Sequence, residues 1–300
     1  MRIGILSRGP QLYSTRSLYR AGQKRGHKML IIDHTRCQFL IDNKGSEIFY
    51  EDMTLSRLDA IIPRIGSSVT LLGASLIYQF ELLNVYTTTR ANALLQSRDK
   101  LRCLQKLAGG GLKVPGTAFV THSQELISAV RQLGGFPVVI KLLESTHGVG
   151  VMLAENMRSA QTTLEAFQKL NERVMVQEFI PEAKGADVRA LVVGNKVVAA
   201  MKRQAREGEF RSNLHRGATA RAVDLTTEEN TAVITAARSM GLAVAGVDLL
   251  RSQRGPLIME VNASPGLEGI ETVTGVDVAG AVIQYLEKRQ SAFQERKRST

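Results

Sequence analysis

The sequence predicts an α/β fold, with a parallel, helix-covered sheet in residues 1–93 and a mixed α+β arrangement after it. Three observations carry this reading. Through residue 93, short apolar runs alternate with helical segments, the order that builds parallel sheets through helical crossovers. Beyond it, strands come in adjacent pairs joined by Gly, Asn, Ser or Pro, which marks antiparallel hairpins. The last hairpin carries acids where apolar side chains would otherwise pack.

Arg2-Ile3-Gly4-Ile5-Leu6 is the first strand, and Gly9-Pro10 ends it. Leu12 to Arg25 has helical spacing and stops at Gly26. Lys28 to Asp33, Asp59 to Pro63 and Val85 to Thr88 are the further strands of this unit. No G-x-G-x-x-G follows the first strand, so a dinucleotide site is not supported there. Ser97 then reads as the N-cap of a helix with Leu101, Leu104 and Leu107 on one face. Lys100 falls in its first turn, where a cation opposes the helix dipole and an anion is welcome. A held phosphate explains that lysine, and so does a plain exposed side chain. Gly109-Gly110-Gly111 closes the helix.

Thr121 to Gln124 reads as a capping box for a helix through Leu133. Phe136 to Leu143 is a buried-type strand with one lysine, Lys141. It leads into a small-residue loop with Gly148 and Gly150. Glycines let backbone N–H groups approach phosphate oxygens, although a plain hairpin turn uses the same residues. Asn156 caps a helix with Met157, Ala160, Leu164, Phe167 and Leu170 on one face. Val174 to Ile180 is a strand ended by Pro181. Asp187 to Val193 and Lys196 to Gln204 form a hairpin about Gly194-Asn195, and an uninterrupted register sets Asp187 against Lys202 with Arg189 on the same side. The polar loop Glu207 to Gly217 holds Arg211-Ser212-Asn213. Its guanidinium groups suit phosphate or carboxylate ligands. Thr226 to Glu229 is a second capping box, for a helix ended by Gly241.

Gly246 to Arg251 and Leu257 to Asn262 are the arms of the acid-bearing hairpin. Glu260 and Asn262 are two apart and share a face. With the loop centred near Arg254, Asp248 lies across from Glu260. Neighbouring carboxylates repel and are expensive to bury, and a hard divalent cation with oxygen ligands removes both problems. A solvated sheet face would show the same alternation. Ala263 to Gly269 reads as an ordered loop, residues 271–288 as a final helix, and the polar, basic tail 289–300 as disordered.

Composition bounds the function. The chain has 300 residues, 44% hydrophobic and 22% charged, as an ordinary globular protein of two or three subdomains has. Its net charge is +11, which suits nucleic acid or any anionic substrate. Trp is absent and aromatics are 5%, which argues against base-stacking surfaces, so no direct nucleic-acid contact is expected. No apolar run approaches 18 residues and no signal-peptide pattern opens the chain; with only Cys37 and Cys103, a reducing cytoplasm is expected and no membrane association.

The order of these parts resembles the ATP-grasp carboxylate–amine ligases. Lys100, Lys141, the glycine loop, Gln177-Glu178-Phe179-Ile180, Arg211-Ser212-Asn213 and Asp248…Glu260-Val261-Asn262 come in the family's sequence. Ser97-Arg98-Asp99-Lys100, Arg211 to Gly217 and Glu260 to Gly266 are similar to the RimK group, whose members join glutamate to a protein's C-terminal carboxylate. The resemblance implies an ATP-grasp fold over about residues 95–288, split into 94–175 and 176–288, behind a pre-grasp domain at 1–93. It implies ATP as co-substrate, with Lys100 and Lys141 on the α- and β-phosphates and Gly148 and Gly150 covering them. The backbone of Glu178 and Phe179 would meet adenine, and Glu178 or Asp187 the ribose. Asp248, Glu260 and Asn262 would hold two Mg²⁺ or Mn²⁺ ions. Arg203, Arg211 and Asn213 would steady the acyl-phosphate and the substrate carboxylates, with Ser212 in the same nucleotide-side loop. The implied partners are L-glutamate and the acidic C-terminal tail of a ribosomal protein, the sixth of the small subunit, with the ligase a homo-oligomer. Three other readings stand beside this one. They are a ligase of the same fold making a small glutamyl peptide or cofactor, a nucleotide-binding regulatory domain, and a basic nucleic-acid-binding protein.

Overall fold

Short apolar strands joined by amphipathic helices bury both faces of a sheet. The chain begins this way in the computed structural model, which describes residues 1–43, 45–55, 57–143, 150–169, 173–214 and 217–298. It opens with β1 (Arg2–Leu6), α1 (Tyr13–Lys24) and β2 (Lys28–Ile32). A ribbon of β3 (Cys37–Asp42), β4 (Gly45–Tyr50) and β5 (Met53–Thr54) follows, then β6 (Ala60–Pro63), α2 (Thr70–Leu82) and β7 (Tyr86–Thr87). The expected parallel sheet forms in the order β2-β1-β6-β7. The antiparallel ribbon was not anticipated. Phe39, Leu40 and Ile41 are all exposed on β3, so no buried face imprints an alternation on its sequence.

Next come α3 (Ala91–Arg98) and α4 (Lys100–Gly109). Ser97 does not cap α4. Its hydroxyl donates to Leu94 O inside α3, and Asp99 is the cap, accepting from Arg102 N at 3.0 Å. Asp99 is extended, whereas Ser97 is still helical, and only an extended residue can turn its side chain onto the first free N–H groups. The central unit holds β8 (Thr117–Val120), α5 (Leu126–Gln132), β9 (Val138–Leu142), β10 (Val151–Ala154), α6 (Met157–Lys169) and β11 (Val174–Glu178). Its antiparallel sheet, β10-β9-β11-β8, closes a core of its own around Leu126, Val130, Ile140, Leu164 and Val176. The reciprocal acid before α5 is Glu125, not Gln124: its Oε2 accepts from the Thr121 and His122 amides.

The remainder comprises β12 (Ala186–Val193), β13 (Lys196–Gln204), β14 (Thr219–Ala222), α7 (Thr227–Ser239), β15 (Val244–Ser252), β16 (Gly255–Asn262), α8 (Glu268–Thr274) and α9 (Val278–Arg298). Five antiparallel strands run β14-β13-β12-β15-β16. One side of this sheet shares a core with the first domain, from Leu6 and Phe80 through Val188 to Ile258. The capping box of Thr226 and Glu229 forms as expected. The final helix is two, broken at Gly275 with φ +69, and the expected disordered tail is helical to Arg298. Contacts hold it there: Phe293 packs edge-on against Tyr86, and Glu287 on α9 binds Arg25 and His27 beside α1. No helix among the described residues is long and apolar enough to cross a membrane.

Candidate active site

Two bulges set the site. On the β15–β16 hairpin the turn pairs Ser252 with Gly255, and that register continues to Leu249 opposite Ile258. Uninterrupted, it would set Asp248 against Met259. An irregularity there leaves Met259 without a partner and puts Asp248 opposite Glu260 and Gly246 opposite Asn262. The expected facing acids are therefore in place. On the β12–β13 hairpin the shift lies between Leu191 and Val192, which skips Val198. Asp187 then faces Arg203 rather than Lys202. The bulge corrects the simple count and points the residue with the planar donor fork at the acids.

Those acids and arginines form one buried array. Arg203 donates from Nε and Nη2 to the Asp187 carboxylate at 2.6 and 2.5 Å, and from Nη2 to Asp248 Oδ2 at 3.0 Å. Arg189, paired with Asp248 across β12 and β15, donates to both its oxygens at 2.7 and 2.5 Å. Asp248 is 2% exposed and Asp187 5%. Burial alone raises the Asp248 pKa. Arg189 and Arg203 outweigh it and hold the carboxyl well below the usual range. Asp187 shifts the other way: burial dominates, and it shares one guanidinium with a neighbouring negative charge. Ser212 hydrogen-bonds to Asp187, which brings the Arg211-Ser212-Asn213 loop to this array. Glu260 is half exposed, accepts from Asn262 Nδ2 at 3.0 Å, and stands 3.9 Å from Arg189 Nη2.

The facing sheet contributes Lys141. Its Nζ donates to Gln177 Oε1 at 2.6 Å. Burial lowers its pKa, opposed by the charge of Glu260, so the lysine lies within electrostatic reach of the acid hairpin. Lys100 sits at the start of α4, and its Nζ donates to Leu142 O and Leu143 O at 2.9 and 2.8 Å. These carbonyls give the first-turn lysine a protein partner at the end of β9. Gly150, with φ +66, immediately precedes β10, where a Cβ would strike Leu142. Gly148 lies outside the described residues. Glu178 accepts from Gly116 N at 2.5 Å and Arg254 Nη2 at 2.7 Å, and its own N–H goes to Gly116 O. Phe179 packs edge-on against Phe210, and Asn213 is half-buried.

Arg211 is clamped by Glu209 at 2.9 and 2.6 Å and reaches Val151 O at 3.3 Å, beside Lys141 in the register. Its side-chain hydrogen bonds pull the Glu209 pKa down to about 2. The pair is therefore complete above the ordinary glutamate pKa near 4.3 and is lost only as pH falls through about 2. Glu209→Ala should free Arg211 and raise limited-proteolysis cutting within 207–217 at neutral pH; an unchanged cutting rate would mean the loop is held elsewhere.

Sequence reasoning undervalued Arg189 and passed over Gln177. Arg189 was legible, two residues from Asp187 on one strand face, but its tie to Asp248 spans 59 residues.

Comparison with known proteins settles the lineage. Residues 1–94 match the RimK PreATP-grasp domain and residues 97–286 the RimK-like ATP-grasp domain. The chain belongs to the RimK-like ATP-grasp family. It is thus a ligase of a family that forms C–N bonds. A probable alpha-L-glutamate ligase of Pseudoalteromonas translucida is 53% identical over 292 residues, covering 97% of each chain. One of Aliivibrio salmonicida is 54% identical over 288 residues, 96% of each. Among solved structures, the ATP-grasp ligase PsnB complexed with minimal precursor, Mg and ADP superposes with a TM-score of 0.76 at 19% identity, covering 97% of this chain and 98% of that one. A RimK domain ATP-grasp protein of Sphaerobacter thermophilus gives 0.70 at 20% identity, covering 95% and 99%. At such identities the RimK-like chain shares their fold.

Proposed function

We propose that this RimK-like chain is an ATP-dependent alpha-L-glutamate ligase that joins the amine of L-glutamate to the C-terminal carboxylate of a protein. The sixth protein of the small ribosomal subunit is the acceptor, and the enzyme works in the cytoplasm as a homo-oligomer. The observation that carries this reading is the face of one hairpin on which Asp248 opposes Glu260 with Asn262 beside them. Among the described residues no group of three or more His, Cys, Asp or Glu assembles, and the set we propose takes the Asn262 amide as its third member. Two carboxylates and an amide oxygen make a hard-oxygen set suited to Mg²⁺ or Mn²⁺. Arg189 and Arg203 take three of the four or so acceptor sites of Asp248, with Glu260 beside it as the second carboxylate, which leaves one site for a cation. The residues fit the group, and Asp248, Glu260 and Asn262 would hold two ions. When bound, these neutralise phosphate charge and raise the electrophilicity of the γ-phosphorus.

The chain's own residues position the reactants. Lys141 and Lys100 flank the end of β9 and serve the α- and β-phosphates, with Gly148 and Gly150 over them. Since the Glu178 N–H is committed to Gly116, the Glu178 carbonyl and Phe179 N–H face the adenine edge. Glu178 or Asp187 meets the ribose. The acceptor carboxylate attacks the γ-phosphorus, ADP leaves, and an acyl-phosphate forms. The glutamate amine attacks the acyl carbon, phosphate leaves, and a proton passes to solvent as the peptide bond closes. Arg203, Arg211 and Asn213, with Ser212 anchoring their loop on Asp187, steady the charge that develops. A net charge of +11 draws in substrates that are all anionic.

Mixing the protein with ATP, Mg²⁺ and L-glutamate, with and without total ribosomal protein, tests this by ADP release and mass spectrometry. One or more glutamate increments on one small-subunit protein is the expected result. ADP release with no protein modified moves the acceptor to a small molecule, and no release overturns the ligase reading. Lys141→Ala should weaken ATP binding by about tenfold or more, as loss of a charge-assisted contact does. An unchanged ATP affinity would make Lys141 a structural partner of Gln177 only.

A further inference from the structure

In open α/β sheets ligands gather at the carboxyl ends of parallel strands, and here those ends carry cations. Arg8 follows β1 and Arg64 follows β6. Arg98, at the end of α3, reaches the same place: its Nη2 donates to Ile65 O at 2.7 Å. Arg64 Nη2 donates to Pro265 O at 2.7 Å, and Arg8 Nη2 to Ser68 Oγ at 3.2 Å. Among the described residues none of the three is ion-paired to a carboxylate.

Two buried polar atoms beside them lack any hydrogen-bond partner, Arg98 Nε and Ser264 Oγ. Unmet buried donors are expensive, and clustered guanidiniums repel. Burial and then the charge of Arg98 push Arg64 down to about 10, while Glu260 is the acid that acts on Arg98. Ser264 and Pro265 follow the Glu260-Val261-Asn262 strand end after one residue, Ala263. The cluster therefore lies between the first domain and the acid hairpin.

We infer that Arg64, Arg98 and Ser264 form a carboxylate-binding subsite that places an anionic substrate beside Glu260. Arginine's planar fork matches a carboxylate with two parallel N–H bonds, and the serine hydroxyl adds a third donor. The inference rests on the ligase reading for its role in catalysis but not for its chemistry. The bound carboxylate belongs either to free L-glutamate or to the acceptor's C-terminus.

Calorimetric titration of the full chain, with ADP and Mg²⁺ present, separates these sources. The probes are L-glutamate, a hexaglutamate peptide with a free C-terminus, and the same peptide amidated there. Arg64→Gln and Arg98→Gln should each weaken at least one probe by about tenfold or more, with ADP affinity unchanged as the check on folding. Arg98→Lys, which keeps charge and loses the fork, should weaken it less. Loss confined to L-glutamate assigns the subsite to the incoming amino acid. Loss confined to the free-ended peptide assigns it to the acceptor. Unchanged affinity for all probes in both Gln variants overturns the inference, as does failure of the wild-type chain to bind any of them. Carboxylate binding that the variants abolish, in a chain that releases no ADP, would uphold the subsite and sink the ligase reading instead.

Discussion

Glu260→Gln is expected to lower ligation by at least about 10³-fold, because a lost cation ligand forfeits several kcal/mol of charge stabilisation. Glu260 is the cleanest place to test the acid hairpin. Its side chain is 45% exposed; Asn262 donates to it at 3.0 Å, Asp248 stands beside it, and Arg189 is 3.9 Å away. The variant should keep its thermal midpoint. Ligation within tenfold of wild type with Mg²⁺ would remove Glu260 from the cation set. Asp248→Ala should abolish ligation too, but it does not isolate the chemistry. It strands Arg189 and Arg203 in a buried site, so the fold weakens as well.

Arg203→Met is expected to destabilise the chain by about 3–5 kcal/mol, the usual penalty for breaking a buried ion pair on one side. Arg203 is 4% exposed and serves two acids, Asp187 and Asp248, which keep little water of their own. Denaturant unfolding measures the loss. Arg203→Lys should fall between, since one ammonium cannot bridge both carboxylates with a fork. Adding Asp187→Asn to Arg203→Met should recover part of the stability, because one of the stranded charges is gone. A loss below about 1 kcal/mol would mean the array is solvated and behaves as a surface pair does.

Much of the fold was legible because its signals are local. The parallel strands of residues 1–93 announce themselves by apolar runs between helices, and the Thr226–Glu229 capping box by spacing alone. The ribbon of β3 to β5 was not, since β3 buries no face and β4 fully buries only Ile48. Ser97 and Gln124 misled for one reason. Several capping-type residues stand together there, and backbone dihedrals choose among them.

The residue types of the candidate site were readable in local order: an acid pair with an amide two residues on, an isolated strand lysine, an arginine-serine-asparagine loop, and with them the family. Tertiary structure alone decided which groups meet. One unpaired residue, Val198, turns Arg203 instead of Lys202 toward Asp187, and another, Met259, sets Asp248 opposite Glu260. The pairing of β12 with β15 brings Arg189 to Asp248 from 59 residues away. A strand's side-chain period is two, so one bulge reverses a face. Whether a bulge forms depends on packing against elements far along the chain, which no local pattern encodes.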